Sequence, residues 1–171
     1  MIKILIADDH AVVRAGIKQI LTGQEDIVVE DEAGSGQEVI NYLTKRHYDL
    51  ILLDISMPGR SGLEILEDIK SLQPRLPVLI LSMHPEEQYA IRSLKGGASG
   101  YITKESAPDE LVLAVKTILA GRKYISAKLA EHLANHLSPN EKGGLPHESL
   151  SDREFDVLRL IASGKTVSEI A

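Results

Sequence analysis

Five short apolar runs alternate with five longer amphipathic patterns across residues 2–120, and this rhythm constrains the fold more than any other feature of the chain. Strands are predicted at 2–7, 27–33, 50–54, 77–82 and 100–103, and helices at 11–21, 36–46, 62–71, 85–95 and 108–120. The runs Ile51-Leu52-Leu53 and Val78-Leu79-Ile80-Leu81 are apolar on both faces, as central parallel strands are. Val12, Ile17, Ile20 and Leu21 follow the three-four spacing of a buried helix face, and so do Leu63, Leu66, Ile69 and Leu72. Pro85 and Pro108 stand where a first helical turn tolerates proline, and Gly96 and Gly121 where helices stop. Strict alternation of this kind implies an α/β, doubly wound fold: an open five-stranded parallel sheet with helices on both faces, joined by right-handed crossovers. With no Trp, one Phe and five Tyr, the core must be built from aliphatic side chains.

Beyond Gly121 the rhythm changes. Leu129, Leu133 and Leu137 fall at i, i+4 and i+8, so a short amphipathic helix is predicted over 126–137. Residues 138–149 are rich in Gly, Pro and polar residues and read as a flexible linker. Ser151-Asp152-Arg153-Glu154 has the form of a capping box ahead of Phe155, Val157, Leu158 and Ile161. Gly164 ends that pattern, Thr166-Val167-Ser168-Glu169 opens another, and the chain stops at Ala171, about one turn into it; a helix that short does not nucleate alone, so a truncated module is expected.

Charge and composition exclude several function classes. Residues 1–121 carry 12 basic and 18 acidic side chains and residues 122–171 seven of each, so no basic footprint for nucleic acid is present. Specific DNA binding is therefore not expected of these 171 residues. The absence of cysteine rules out disulfides and thiolate metal sites. No apolar run approaches the ~20 residues of a membrane span, and no signal-peptide pattern opens the chain, so a cytoplasmic protein is expected.

In an open parallel sheet, ligands bind beyond the carboxyl ends of the strands, where the winding reverses. Four of the five predicted strand ends carry polar, potentially reactive groups: Asp8-Asp9, Asp54, Ser82 and Thr103-Lys104; the second, ending at Glu32-Ala33, is not counted among them. Each has an ordinary reading by itself. Asp8 or Asp9 can cap the helix near Ala11, Asp54 can be a strand-to-turn residue, and Ser82 and Lys104 can be surface residues. All four at strand ends favour a joint site. Converging carboxylates repel and raise at least one pKa unless a cation is present, and Mg²⁺ takes such hard oxygen donors while keeping waters. The Ser82 hydroxyl and Lys104 ammonium could hold an anion docked there, so the set meets the needs of phosphoryl transfer to a carboxylate nucleophile. His10, His47 and His84 are expected to be exposed, since no pair has metal-ligand spacing.

Asp8-Asp9, Asp54 with Met57-Pro58-Gly59, Ser82 and the run from Gly97 to Lys104 resemble the receiver domain of two-component response regulators over residues 1–121. Leu150 to Glu154, Leu158, Ile161-Ala162, Gly164 and Glu169-Ile170-Ala171 resemble the start of a LuxR-type helix-turn-helix, and the two together resemble the NarL/FixJ subfamily of transcription regulators. The resemblance implies three parts: a receiver at 1–121, a linker with a short helix at 122–149, and the start of a DNA-binding domain at 150–171. It implies a flavodoxin-like sheet of order 2-1-3-4-5. It also implies that Asp54 takes a phosphoryl group from a sensor histidine kinase. Mg²⁺ would be held by Asp9, Asp54 and the backbone carbonyl of Ser56, with Asp8 acting through water. Ser82 and Lys104 would turn toward the phosphoryl oxygens, and Tyr101 would be the aromatic switch. Homodimerisation on phosphorylation follows, with DNA contacted only by helices outside these residues. Glu105 follows Lys104 where many members carry proline, which removes the usual reason for a cis bond there.

Two other function classes compete. A receiver acting only through protein contact would need neither the linker nor the capping boxes after it. A metal-dependent phosphatase with an aspartyl-phosphate intermediate would want a carboxylate two residues after the nucleophile, where Ser56 stands. The chain is accordingly expected to be no enzyme, with at most intrinsic autophosphorylation and autodephosphorylation.

Overall fold

The structure, a computed structural model, describes residues 1–136. Five strands, β1 (Ile2–Ala7), β2 (Ile27–Ala33), β3 (Leu50–Asp54), β4 (Val78–Ser82) and β5 (Gly100–Thr103), alternate with α1 (Ala11–Thr22), α2 (Gly36–Leu43), α3 (Gly62–Leu72), α4 (Glu86–Lys95) and α5 (Ala107–Leu119). A sixth helix, α6 (Ala127–His136), follows. The strands pair in parallel in the order β2-β1-β3-β4-β5, so the winding reverses between β1 and β3. The two compact units of the chain are Met1–Ala130 and Glu131–Ala171, and the sheet lies wholly in the first. The linker and helix-turn-helix expectations at 138–171 fall outside the described residues.

Side-chain alternation splits the core into two layers. Ile4, Ile6, Leu50, Leu52, Leu79, Leu81 and Ile102 pack against Ile17 and Leu21 of α1 and Leu111, Ala114, Val115 and Ile118 of α5. The alternate residues Leu5, Ile51, Leu53 and Ile80 are equally buried, toward the face taken by α2, α3 and α4. Every residue of β3 and β4 is buried, as their unbroken apolar runs require.

Helix faces differ from expectation at two positions. Val12 is 85% exposed and Leu72 51%, although both were expected on buried faces. Val12 stands nine residues before the buried Leu21, about half a turn out of phase with it, and so on the opposite side of α1; Leu72 is the last residue of α3. The buried stripe of α3 is instead Leu63, Ile65, Leu66 and Ile69. The helix predicted at 36–46 ends earlier, at Leu43, and the one at 85–95 begins at Glu86 with Pro85 as its N-cap. Among the described residues no peptide bond is cis, so Lys104–Glu105 is trans.

Candidate functional site

The carboxyl ends of β1, β3, β4 and β5 bring the sequence-predicted residues together. Asp54 is the last residue of β3 and fully buried, and Asp8, one residue past β1, is equally buried. Lys104 follows β5, with 7% of its side chain exposed, and places Nζ 2.9 Å from Asp54 Oδ2 and 2.6 Å from Asp8 Oδ2. The latter approach is too oblique for a hydrogen bond, so it is a charge contact. The Lys104 backbone is anchored by its N–H donating to Ser82 O at 2.8 Å. Thr103 Oγ1, accepting from Ser106 N at 3.2 Å, shapes the turn that follows.

Asp54 Oδ1 accepts from Ser56 N at 3.1 Å, and Gly62 N–H donates to Ile55 O at 2.9 Å, folding the loop after β3 back on itself. A Cβ at Gly62 would stand 2.5 Å from both Asp54 O and Ile55 Cα, so only glycine lets the start of α3 pass so close to the Asp54 backbone. Gly59 supplies the positive φ of 91° that the same loop needs.

Neither Asp8 nor Asp9 caps α1. The N-cap is His10, without a side-chain cap, while Asp8 Oδ1 accepts from His10 N at 2.8 Å. Asp9, with 27% of its side chain exposed, approaches His10 Nδ1 at 2.9 Å. His10 is 63% exposed and His47 exposed, as expected, but His84 is half-buried, its Nε2 3.3 Å from Ser56 Oγ. Ser82 is fully buried and its Oγ accepts from His84 N at 3.0 Å. Tyr101 is also fully buried and donates its hydroxyl to His84 O at 3.0 Å, so the backbone of His84 links Ser82 to Tyr101.

Burial pushes the Asp54 carboxyl above the usual carboxylate range, against the hydrogen bonds from Lys104 and Ser56, and the charge of Asp8 adds to the rise. Burial alone would lower the Lys104 ammonium, but its charge contact with Asp8 and its hydrogen bond to Asp54 outweigh this and raise it.

Oxygen atoms of Asp8, Asp9 and Asp54 and a ring nitrogen of His10 all lie within 4.8 Å of one another, a group able to hold a metal ion. The set fits a hard divalent cation. Its donors are mainly carboxylate oxygens, and the Lys104 ammonium already occupies a cation's place between two of them.

Residues 4–116 match the response regulator receiver domain. The response regulator UvrY of Escherichia coli K12 is 35% identical over 171 residues, covering 100% of this chain and 78% of that one. The oxygen regulatory protein NreC of Staphylococcus epidermidis is 40% identical over 176 residues, covering 99% and 81%. Among solved structures, the RcsB response regulator of Salmonella typhimurium, solved in connection with conformational dynamism for DNA interaction, matches with a TM-score of 0.74 at 29% identity. That match covers 99% of this chain and 81% of that one.

Two residues that matter at the site were not singled out by sequence reasoning. Arg14 donates to Asp8 O at 2.6 Å, and Glu32, at the strand end that seemed to carry nothing, accepts from Arg14 Nε at 3.2 Å.

Proposed function

The chain belongs to the response regulator receiver family, and on that premise we propose that Asp54 is its phosphoacceptor, charged by the phosphohistidine of a sensor histidine kinase. One observation carries the reading: a carboxylate fully buried at a strand end, paired with Lys104 at 2.9 Å and flanked by the acidic pair Asp8-Asp9.

An Asp54 oxygen attacks the phosphorus; the new O–P bond forms as the N–P bond to the donor imidazole breaks, leaving an acyl phosphate on Asp54. Lys104, already among the carboxylates, neutralises a phosphoryl oxygen with little movement. Ser82 exchanges its bond with His84 N for one to the phosphoryl group, and the linked His84 backbone carries that change to Tyr101. Asp9, Asp54 and the Ser56 carbonyl would hold Mg²⁺, with Asp8 acting through water. Bound there, the ion would offset the charge that gathers on the equatorial oxygens.

The reading extends to the organisation of the chain: a receiver over 1–121, a linker with a short helix over 122–149, and from residue 150 the start of a LuxR-type DNA-reading module. On this reading the protein controls transcription from the cytoplasm as a phosphorylation-dependent homodimer. It performs no chemistry beyond gaining and losing its own phosphoryl group. The residues that match a helix-turn-helix support this over a receiver acting by protein contact alone.

Acetyl phosphate with Mg²⁺ tests the phosphoacceptor. Intact-mass analysis is expected to show a phosphoryl adduct on the wild-type chain and none on Asp54→Asn, because an amide is a poor nucleophile. An adduct of equal yield on the variant refutes the assignment. Asp9→Asn is expected to weaken the Mg²⁺ dependence of labelling more than Asp8→Asn does.

A further inference from the structure

Asp8 is held from four directions. Its N–H donates to Ala33 O at 3.0 Å, Oδ1 accepts from His10 N at 2.8 Å, and Oδ2 faces Lys104. Its carbonyl, one half of the Asp8–Asp9 peptide unit, accepts from Arg14 Nη1 at 2.6 Å. The same guanidinium donates through Nε to Glu32 Oε2 at 3.2 Å, and Lys18 Nζ meets the other Glu32 oxygen at 2.9 Å. Arg14 therefore grips the peptide between the two acidic residues with one arm and the end of β2 with the other.

Its position follows from helix geometry. Long side chains lean toward the N-terminus of their helix, so the fourth residue of α1 reaches back over the loop that precedes it. A cation near the start of a helix opposes the macrodipole; here the carboxylates of Asp8, Asp9 and Glu32 offset that cost. Arg14 shares the Glu32 carboxylate with Lys18, and its second arm ends on the Asp8 carbonyl rather than on a carboxylate of the cluster, so its contact with the cluster is one of geometry.

We propose that Arg14 is a positioning residue of the divalent-metal site: its fork fixes the plane of the Asp8–Asp9 peptide and so aims the Asp9 carboxylate. The inference rests on the metal reading above. Asp9 is the most exposed of the three acids, and a peptide unit free to rotate would swing its side chain out of the cluster. Partners that orient metal ligands in this way typically govern affinity by about 10- to 100-fold.

The test is calorimetric titration of Mg²⁺ into the unphosphorylated chain, with thermal unfolding in chelator to verify that each variant is folded. Arg14→Met is expected to weaken Mg²⁺ binding roughly tenfold. Arg14→Lys should remain weakened, since one ammonium cannot span both the carbonyl and Glu32 as a planar fork does. Lys18→Ala, which removes only the outer bond to Glu32, should bind as wild type. Wild-type affinity in folded Arg14→Met overturns the proposal. So does full affinity in Arg14→Lys, which would make charge alone sufficient, or an equal loss in Lys18→Ala, which would make the whole ion-pair network responsible. Should Arg14→Met not fold, Arg14→Lys decides. A wild-type chain that takes no Mg²⁺ refutes the metal reading itself, and is told apart by the control titration.

Discussion

Asp54 carries a conflict between burial and pairing. Its pKa is raised in the folded protein, so the native state holds that proton more tightly than the unfolded chain does. Stability is therefore lost as pH rises from the unfolded value through the folded one, and the loss persists at neutral pH. Asp54→Asn removes the buried charge while keeping the shape. It is expected to raise the melting temperature in magnesium-free buffer at pH 7; a lower one would show that the Lys104 pair contributes more than burial costs. Lys104 is the converse case. With 7% of its side chain exposed between two buried acids, its removal strands their charges. Lys104→Ala is expected to cost about 3 kcal/mol in denaturant unfolding without divalent ions. Part of that loss should return on adding Mg²⁺, since another cation then takes the vacated place.

At the level of elements, the site depends on how closely three loops approach one another. The start of α3 passes so near the end of β3 that a methyl group at Gly62 would meet backbone, which cannot turn aside as a side chain can. Gly62→Ala is expected to destabilise the chain by about 2 kcal/mol and to slow labelling by acetyl phosphate; unchanged unfolding and labelling would mean that the loop has slack. The loop after β4 joins Ser82 to Tyr101 through the backbone of His84. Ser82→Ala should leave phosphorylation largely intact yet abolish the change in hydrogen exchange around α4 and β5. A wild-type exchange response in that variant would rule out this route. Tyr101→Phe deletes only the hydroxyl donated to His84 O and is expected to cost about 1 kcal/mol. These elements were partly legible beforehand. Four strands begin and end where the apolar runs do, because a central parallel strand is buried on both faces and its polar boundary is sharp. Helix faces were less legible. Val12 lies about half a turn out of phase with the buried Leu21, and Leu72 keeps the spacing at the last residue of α3 yet is exposed, because spacing alone cannot tell whether a partner lies beneath.

For the whole molecule, the surface beside the site offers a face on which the proposed phosphorylation-dependent dimer can be tested. An apolar groove of about 320 Å³ runs between α1 and the start of α5, lined by Val13, Gly16, Ile20, Met83, Ala107 and Pro108 with Lys104 at its edge. Phosphorylation-dependent pairing through the first and fifth helices is the expected use of this face. Sedimentation velocity with beryllofluoride and Mg²⁺ should show a shift toward dimer that Val13→Asp suppresses. No shift over a wide concentration range would count against assembly through the receiver. No helix among the described residues is long and apolar enough to cross a membrane.

What the sequence determined by itself is the architecture and the principal cast: five strands in strict alternation with helices, and Asp8, Asp9, Asp54, Ser82 and Lys104 at their carboxyl ends. Both follow from local chemistry, since apolar period and strand length are written in consecutive residues and the ends of parallel strands converge by topology. Only the tertiary structure decided which second-rank residues serve the site. A register shift between β1 and β2 after Ile4 pairs Leu5 with Asp31 and Ile6 with Glu32. Without that extra residue Glu32 would stand opposite Ala7 and point to the other face of the sheet, because side chains alternate every residue. With it, Glu32 faces α1 and holds Arg14, while Asp31 turns the opposite way to Tyr48 and Arg46. A bulge of one residue in a paired strand leaves no mark in composition or period; it is settled by how two strands pack, and it decides which acidic residue of β2 reaches the site.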